Sequence, residues 1–205
     1  FQAAEIRGLL QFLRVIDNPL QDIPLYGTLK SLFGGFTQEE IALVRGEKRQ
    51  SLLYESLLSH QGLLREKIQA FLNRLAHYRQ MTAYTPIHKL IQEILQDTGY
   101  ADYVLALSGG EQRRANVEML LTRAAAFENT SYYGLFHFLR YIEQLEKYEV
   151  DYGPADVLDE NADVVRIMSI HKSKGLEFPI TFVAGLSKRF NMQDVNQALI
   201  LDMDL

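Results

Sequence analysis

The chain of 205 residues contains no cysteine. It can therefore have no disulfide framework, no thiolate zinc site and no cysteine nucleophile, and we expect a reducing, cytoplasmic compartment. No apolar run approaches the roughly 20 residues of a membrane span, and the first residues lack the pattern of a signal peptide, so we expect no membrane contact. Positive charge is not in excess either, because 21 Lys and Arg face 26 Asp and Glu. Binding to nucleic acid by bulk charge is excluded, and any such contact must be local.

Apolar residues recur at helical spacing over the first three quarters of the chain. A first helix over 5–16 is stopped by Asn18 and Pro19. Thr37 and Glu40 form a capping box that starts another helix near Gln38, with Phe36 and Ile41 placed as a hydrophobic staple. The remaining predicted helices are 51–59, 63–81, one that starts at Thr85-Pro86 and ends before Gly99, 109–127 and 132–148.

The composition changes after residue 148. Six acids and no Lys or Arg lie between Glu149 and Asp163, which is typical of a linker or exposed loop. Two short apolar runs follow, 164–170 and 180–185, of the kind that forms buried strands of a parallel sheet. We therefore predict a mostly α fold, with a helical domain over 1–160 and part of a parallel α/β domain over 161–205. The chain starts and stops in what read as the middle of elements, so we expect an excised part of a longer protein.

One motif with candidate chemistry runs from Leu107 to Arg114 and reads LSGGEQRR. It resembles the signature sequence of ABC-type ATPases, in which a Ser-Gly-Gly turn presents backbone N–H groups to a nucleotide phosphate. The phosphate loop and the Asp-Glu strand that such an ATPase needs are both missing from the sequence. A capping box from Ser108 to Glu111 explains the same residues, and we predict that this segment starts a helix and binds no nucleotide.

A second motif, VVRIMSIHKSKGLEFPITFVAG, covers residues 164–185. Its central loop carries hydroxyls, lysines and a histidine where a predicted strand ends, and such groups suit contacts to phosphate. Five basic residues and one acid lie between Val164 and Phe190, so the stretch is locally basic in an acidic chain. Spacing alone leaves two interpretations open, a phosphate-binding loop and a solvated basic loop.

The second motif closely resembles motif V of the superfamily 1A helicases of the UvrD, PcrA and Rep type, whose core is Thr/Ser-x-His-x-x-Lys-Gly-Leu-Glu-Phe. Residues 1–160 then resemble the helical 2B domain of that family, and residues 161–205 resemble part of its RecA-like 2A domain. Within the family, the segments 17–25 and 185–191 are most similar to AddA-type subunits of AddAB helicase–nucleases, which process double-strand breaks.

The resemblance implies that Ser169, His171 and Lys174 contact single-stranded DNA, and that Gly175 and Glu177 lie towards bound ATP. Ser169 stands where many relatives have threonine. The resemblance also implies an ATP-dependent DNA helicase that uses ATP and Mg²⁺, and its partners would be single-stranded and duplex DNA, the other helicase domains and an AddB-type subunit. The phosphate loop, the magnesium-binding Asp-Glu pair and the arginine finger are absent from this sequence. We therefore assign no catalytic or metal residue here, and expect the chain alone to be inert and to bind no ATP.

A helical module without enzymatic activity, binding duplex DNA or a partner subunit, remains the alternative. Four histidines in helical segments lack a carboxylate or second histidine at three or four residues, so we expect surface or core positions for them (His60, His77, His88 and His137). Five aromatic residues lie on several faces of the last helix, where core packing is favoured and base stacking stays open (Tyr132, Tyr133, Phe136, Phe138 and Tyr141).

Overall fold

The computed structural model describes residues 3–46, 51–129, 133–147, 169, 171, 173–174 and 180–184. The chain divides into two units, Phe1–Asn161 and Ala162–Leu205. In the described part of the first unit the chain folds into α-helices, in the order α1 (Ala4–Asp17), α2 (Asp22–Lys30), α3 (Gln38–Gly46), α4 (Leu53–Ser59), α5 (Arg65–Met81), α6 (Ile87–Thr98), α7 (Tyr100–Leu105), α8 (Gly110–Phe127) and α9 (Leu135–Lys147).

Helix α1 lies at the centre of the first unit, because it packs against α2, α5, α8 and α9. Its buried side chains lie on more than one face of the helix, as expected of a helix surrounded by others (Ile6, Leu9, Leu10, Phe12, Leu13, Val15 and Ile16). Phe12 stacks on Phe33 with the ring centroids 4.6 Å apart, and Phe33 stacks on Tyr100 at 4.7 Å. The core is therefore a continuous layer of apolar side chains contributed by segments that are far apart in the sequence.

Several local predictions are confirmed. Helix α1 ends at Asp17, directly before Asn18 and Pro19. The Thr37 N–H donates to Glu40 Oε2 (2.8 Å) and the Glu40 N–H donates to Thr37 Oγ1 (3.2 Å), which completes the predicted capping box.

Two short helices, α2 and α7, are additional to the predicted ones, and one helix start is displaced. Helix α2 contains Pro24 and Gly27, which weaken a helical pattern in sequence, and α7 follows α6 directly after Gly99. Gly99 adopts a left-handed conformation (φ +62°), so it ends α6 and precedes α7 without a loop. Pro86 precedes the first residue of α6 instead of occupying it.

The two predicted strands lie in the second unit. Residues 164–170 fall outside the described residues except for Ser169, and 180–184 are in neither a strand nor a helix. A strand needs hydrogen-bonded neighbours, and the described part of this unit provides none. The α/β assignment of 161–205 and the domain boundary near 160 therefore stay predictions.

Candidate functional site

The motif-V-like segment forms a tight turn in its described part. The Ser173 N–H donates to the Ser169 carbonyl, four residues earlier, at 3.2 Å. Ser169, His171 and Lys174 are exposed, and Ser173 is half-buried. Three of the five predicted site residues are therefore in one short segment and accessible to a ligand. Gly175 and Glu177, predicted to lie towards the nucleotide, are outside the described residues.

Exposed apolar side chains follow this turn. Ile180 is 76% exposed, Phe182 is 92% exposed and Val183 is 53% exposed. These residues belong to the run predicted as a buried strand, and in this structure they are accessible to solvent.

The Ser-Gly-Gly segment starts helix α8, but the prediction of a Ser108–Glu111 capping box is wrong. The residue before the helix is Gly109, in a left-handed conformation (φ +70°), and no side chain caps this end. Gly110 is buried, and a Cβ on it would collide with the carbonyl oxygen of Leu105 and lie 2.6 Å from its carbon. The two glycines are therefore needed for backbone geometry, because one adopts positive φ and the other allows close backbone approach.

Arg113 of the same motif connects α8 to the start of α1, a contact that no sequence pattern predicts. Its guanidinium donates to Glu5 Oε2 (2.8 Å) and to the Ser108 carbonyl (3.0 Å). Asn116 donates to the other carboxylate oxygen of Glu5 at 2.8 Å, and the Tyr100 hydroxyl donates to the Glu5 carbonyl at 2.8 Å. Burial raises the pKa of Tyr100 to about 12, so its hydroxyl stays a donor at neutral pH. This network is a structural connection of three helices.

Three of the four histidines, His60, His77 and His137, lie in the core or on the surface as predicted, and the fourth, His88, pairs with a carboxylate 40 residues away in the sequence. His60 is buried and His77 is exposed. His88 Nδ1 lies 2.6 Å from Glu128 Oε2, and the backbone N–H of His88 donates to Glu128 Oε1 (3.0 Å). The carboxylate of Glu128, directly after α8, therefore accepts a hydrogen bond from the first turn of α6. No cluster of three or more metal-ligating side chains occurs in the described part of the chain.

The aromatic residues predicted for the last helix divide into two groups, and Tyr133 lies just before α9 begins at Leu135. Phe138 is fully buried, and its ring centroid lies 5.5 Å from that of Phe127 on α8. Tyr141 also packs against Phe127, at 5.3 Å. In contrast, Tyr133 is 74% exposed and Phe136 is 56% exposed, so the favoured core packing is wrong for these two. Tyr132 lies outside the described residues.

None of the described helices is both long enough and apolar enough to span a bilayer.

Comparison with known proteins identifies the family. Residues 1–191 match the UvrD-like helicase C-terminal domain. Proteins named as the A subunits of ATP-dependent helicase/nucleases are similar over the chain: that of Acetivibrio thermocellus is 46% identical over 209 residues, with 100% of this chain and 17% of the relative covered. That of Bacillus velezensis is 43% identical, with 100% and 17% covered, and that of Clostridium acetobutylicum is 47% identical, with 98% and 16% covered.

The chain thus covers 16–17% of the length of these relatives, about a sixth. The family match includes the helical unit and continues through the motif-V-like segment to residue 191. The chain belongs to the UvrD-like helicase C-terminal domain family.

Proposed function

We propose that this chain is a segment of an ATP-dependent DNA helicase, namely the helicase–nuclease component of a double-strand-break repair complex. In that protein it supplies a contact to the translocating DNA strand and links this contact to the nucleotide. The observation that carries the proposal is the exposed turn holding Ser169, His171 and Lys174 inside the residues that match a helicase family.

The exposed side chains of this turn have the chemistry of a DNA backbone contact. A hydroxyl, an imidazole and an ammonium group can each donate a hydrogen bond to phosphate oxygen without reading base sequence. A translocating enzyme needs such sequence-independent contacts, because it must bind every position along the strand. We therefore assign Ser169, His171 and Lys174 to the single-stranded DNA backbone.

Gly175 and Glu177 directly follow this turn, and we assign them to the nucleotide side. A carboxylate at residue 177 would accept hydrogen bonds from ribose hydroxyls and would repel a DNA phosphate. Glu177 is six positions after His171, so one short segment would reach both ligands.

We propose that this chain alone binds neither ATP nor Mg²⁺. The sequence contains no Gly-rich phosphate loop ending in Lys-Ser/Thr, and the described residues hold no group of three or more metal-ligating side chains. Other parts of the parent protein would then bind the phosphates and the metal.

Assignments of domains, ligands, partner and compartment complete the proposal. Residues 161–205 belong to a RecA-like α/β domain, and residues 1–160 form the helical 2B-like domain that accompanies it. The parent acts on single-stranded and duplex DNA together with an AddB-type partner, in the cytoplasm. The alternative of a helical module without enzymatic activity is not favoured, because the relatives that match the whole chain carry the name of an enzyme.

The test is ATP hydrolysis measured with and without single-stranded DNA. The parent protein should show DNA-stimulated hydrolysis, and His171→Ala should reduce the stimulation. The matched control is His77→Ala, since His77 is an exposed histidine of α5 outside the proposed site. The 205-residue chain alone should hydrolyse no ATP. Hydrolysis by the isolated chain, or full stimulation in the His171→Ala parent, would contradict the proposal.

A further inference from the structure

We propose that the exposed face at the start of α9 is a second binding surface for single-stranded DNA, formed by Tyr133, Phe136, His137 and Arg140. This α9 face is separate from the motif-V-like turn in sequence. The inference rests on the proposed function only in taking DNA as the ligand.

The aromatic rings of the α9 face are exposed although the adjacent rings are buried. Tyr133 and Phe136 are 74% and 56% exposed, whereas Phe138 is fully buried against Phe127. The inward positions of the helix thus already fill the core, and the outward rings add nothing to it. Exposed aromatic rings are the platforms on which single-stranded nucleic acids stack their bases, whatever the sequence.

The charge of this region fits a polyanion. Residues 129–142 contain no aspartate or glutamate, although the chain has a formal net charge of −5. Arg140 is exposed and, within the described residues, forms no salt bridge. The next acid along α9, Glu143, lies 3.7 Å from Arg14 of α1, so a neighbouring helix neutralises it.

The spacing places ring and cation side by side. Phe136 and Arg140 are four residues apart in one α-helix, so they are neighbours on its surface. A strand lying along this face could stack a base on the ring while the guanidinium binds an adjacent phosphate. A protein partner would also use aromatic residues and arginine, but the absence of acids over fourteen residues favours the polyanion.

The experiment uses the 205-residue chain and a dye-labelled 20-nucleotide oligothymidylate, with binding measured by fluorescence anisotropy. The double variant Tyr133→Ala, Phe136→Ala should bind at least about fivefold more weakly, since each lost stacking contact weakens binding by that order. Arg140→Gln should lower both the affinity and its salt dependence, and Arg140→Lys should retain most of both.

Tyr103→Ala is the matched control. Tyr103 is 45% exposed and lies on α7, at the N-terminal end of α8, whereas α9 follows the C-terminal end. The 18 residues of α8 separate the two ends by about 27 Å. Circular dichroism of each variant checks that the helices are retained. We expect no loss of helix, because neither ring of the α9 face contributes to the core.

Photo-crosslinking to an oligonucleotide with 5-iododeoxyuridine locates the contact directly. We expect adducts on the peptide that contains Tyr133 and Phe136. No DNA binding by the unaltered chain, or adducts elsewhere together with unchanged binding by the double variant, would overturn the inference. Lys174→Gln separates the two proposals: if it leaves binding unchanged while the double variant loses binding, the α9 face stands and the motif-V-like assignment fails.

Discussion

The guanidinium of Arg113 lies 2.8 Å from a carboxylate oxygen of Glu5, although 108 residues separate them in the sequence. The Glu5 side chain is only 4% exposed, whereas that of Arg113 is 32% exposed. The pair joins the start of α1 to the first turn of α8, so it connects two helices that are far apart in the sequence.

The unequal burial of this pair predicts unequal effects of mutation. Arg113→Met should lower the free energy of unfolding by about 3 kcal/mol, because it leaves a buried carboxylate without its cation. Glu5→Gln should cost about 1–2 kcal/mol, because the amide oxygen can accept from only one of the two donors, Arg113 and Asn116, while Arg113 can reach water. Urea unfolding measures both values.

Arg114→Met is the matched control for Arg113→Met. The neighbouring residue Arg114 pairs with Glu118 on the surface of the same helix at 3.0 Å, with side chains 55% and 60% exposed. Its loss should change stability by about 0.5 kcal/mol or less. Equal effects of the two arginine substitutions would show that the buried network does not stabilise the fold.

The two glycines at the start of α8, Gly109 and Gly110, predict unequal losses of stability on substitution. Gly109→Ala should cost about 1–2 kcal/mol, because an L-residue is strained at φ +70° but the space around it is open. Gly110→Ala should cost more, about 3 kcal/mol, because its methyl group would collide with the backbone of Leu105. Thermal and urea unfolding measure the stability of the two variants. A larger loss of stability for Gly109→Ala than for Gly110→Ala would contradict this explanation.

Alanine substitution of Thr37 and of Ser108, which precede α3 and α8, should change stability by different amounts. Thr37→Ala removes an observed hydrogen bond to the Glu40 N–H and should cost about 0.5–2 kcal/mol. Ser108→Ala should stay within about 0.5 kcal/mol, because the Ser108 side chain is exposed and no side chain caps α8. A large loss of stability for Ser108→Ala would revive the capping box that the structure replaces.

The capping glutamate also predicts a pH dependence. The hydrogen bond from the Lys67 ammonium to the Glu40 carboxylate (2.6 Å), helped by the Thr37 N–H, holds the pKa of Glu40 below its ordinary 4.5. A lowered pKa stabilises the fold above about pH 4.5, and this stabilisation is lost as the pH falls from there through the folded-state pKa. Lys67→Met should raise the pKa of Glu40, measured by NMR titration of its side chain. An unchanged pKa of Glu40 in this variant would show that Lys67 does not lower it.

Most helices of the first unit could be predicted from local sequence signals. The spacing of apolar residues predicts α1 and α5 to within two residues at each end, and the capping box predicts the start of α3. Helix α2 contains proline and glycine, which disfavour a helix in a sequence pattern, and α7 has only six residues. Local pattern therefore fails where tertiary packing, and not propensity, decides the helix.

The long-range polar contacts could not be predicted from the sequence. Glu5 and Arg113 are 108 residues apart, and His88 and Glu128 are 40 residues apart. Neither pair has a spacing that any local rule would detect, since only the packing of the helices brings them together. The motif-V-like segment is recognisable instead by its resemblance to a family pattern, and its described residues Ser169, His171 and Lys174 are exposed.

The most direct test is a pair of equilibrium titrations on the parent protein, one with single-stranded DNA and one with a non-hydrolysable ATP analogue. His171→Ala should weaken DNA binding and leave the analogue bound, because the lost contact is to a phosphate of the strand. Glu177→Ala should weaken binding of the analogue and leave DNA bound in its absence. If both variants lost the same ligand, or neither lost any, the assignment of this segment to DNA and nucleotide would be contradicted.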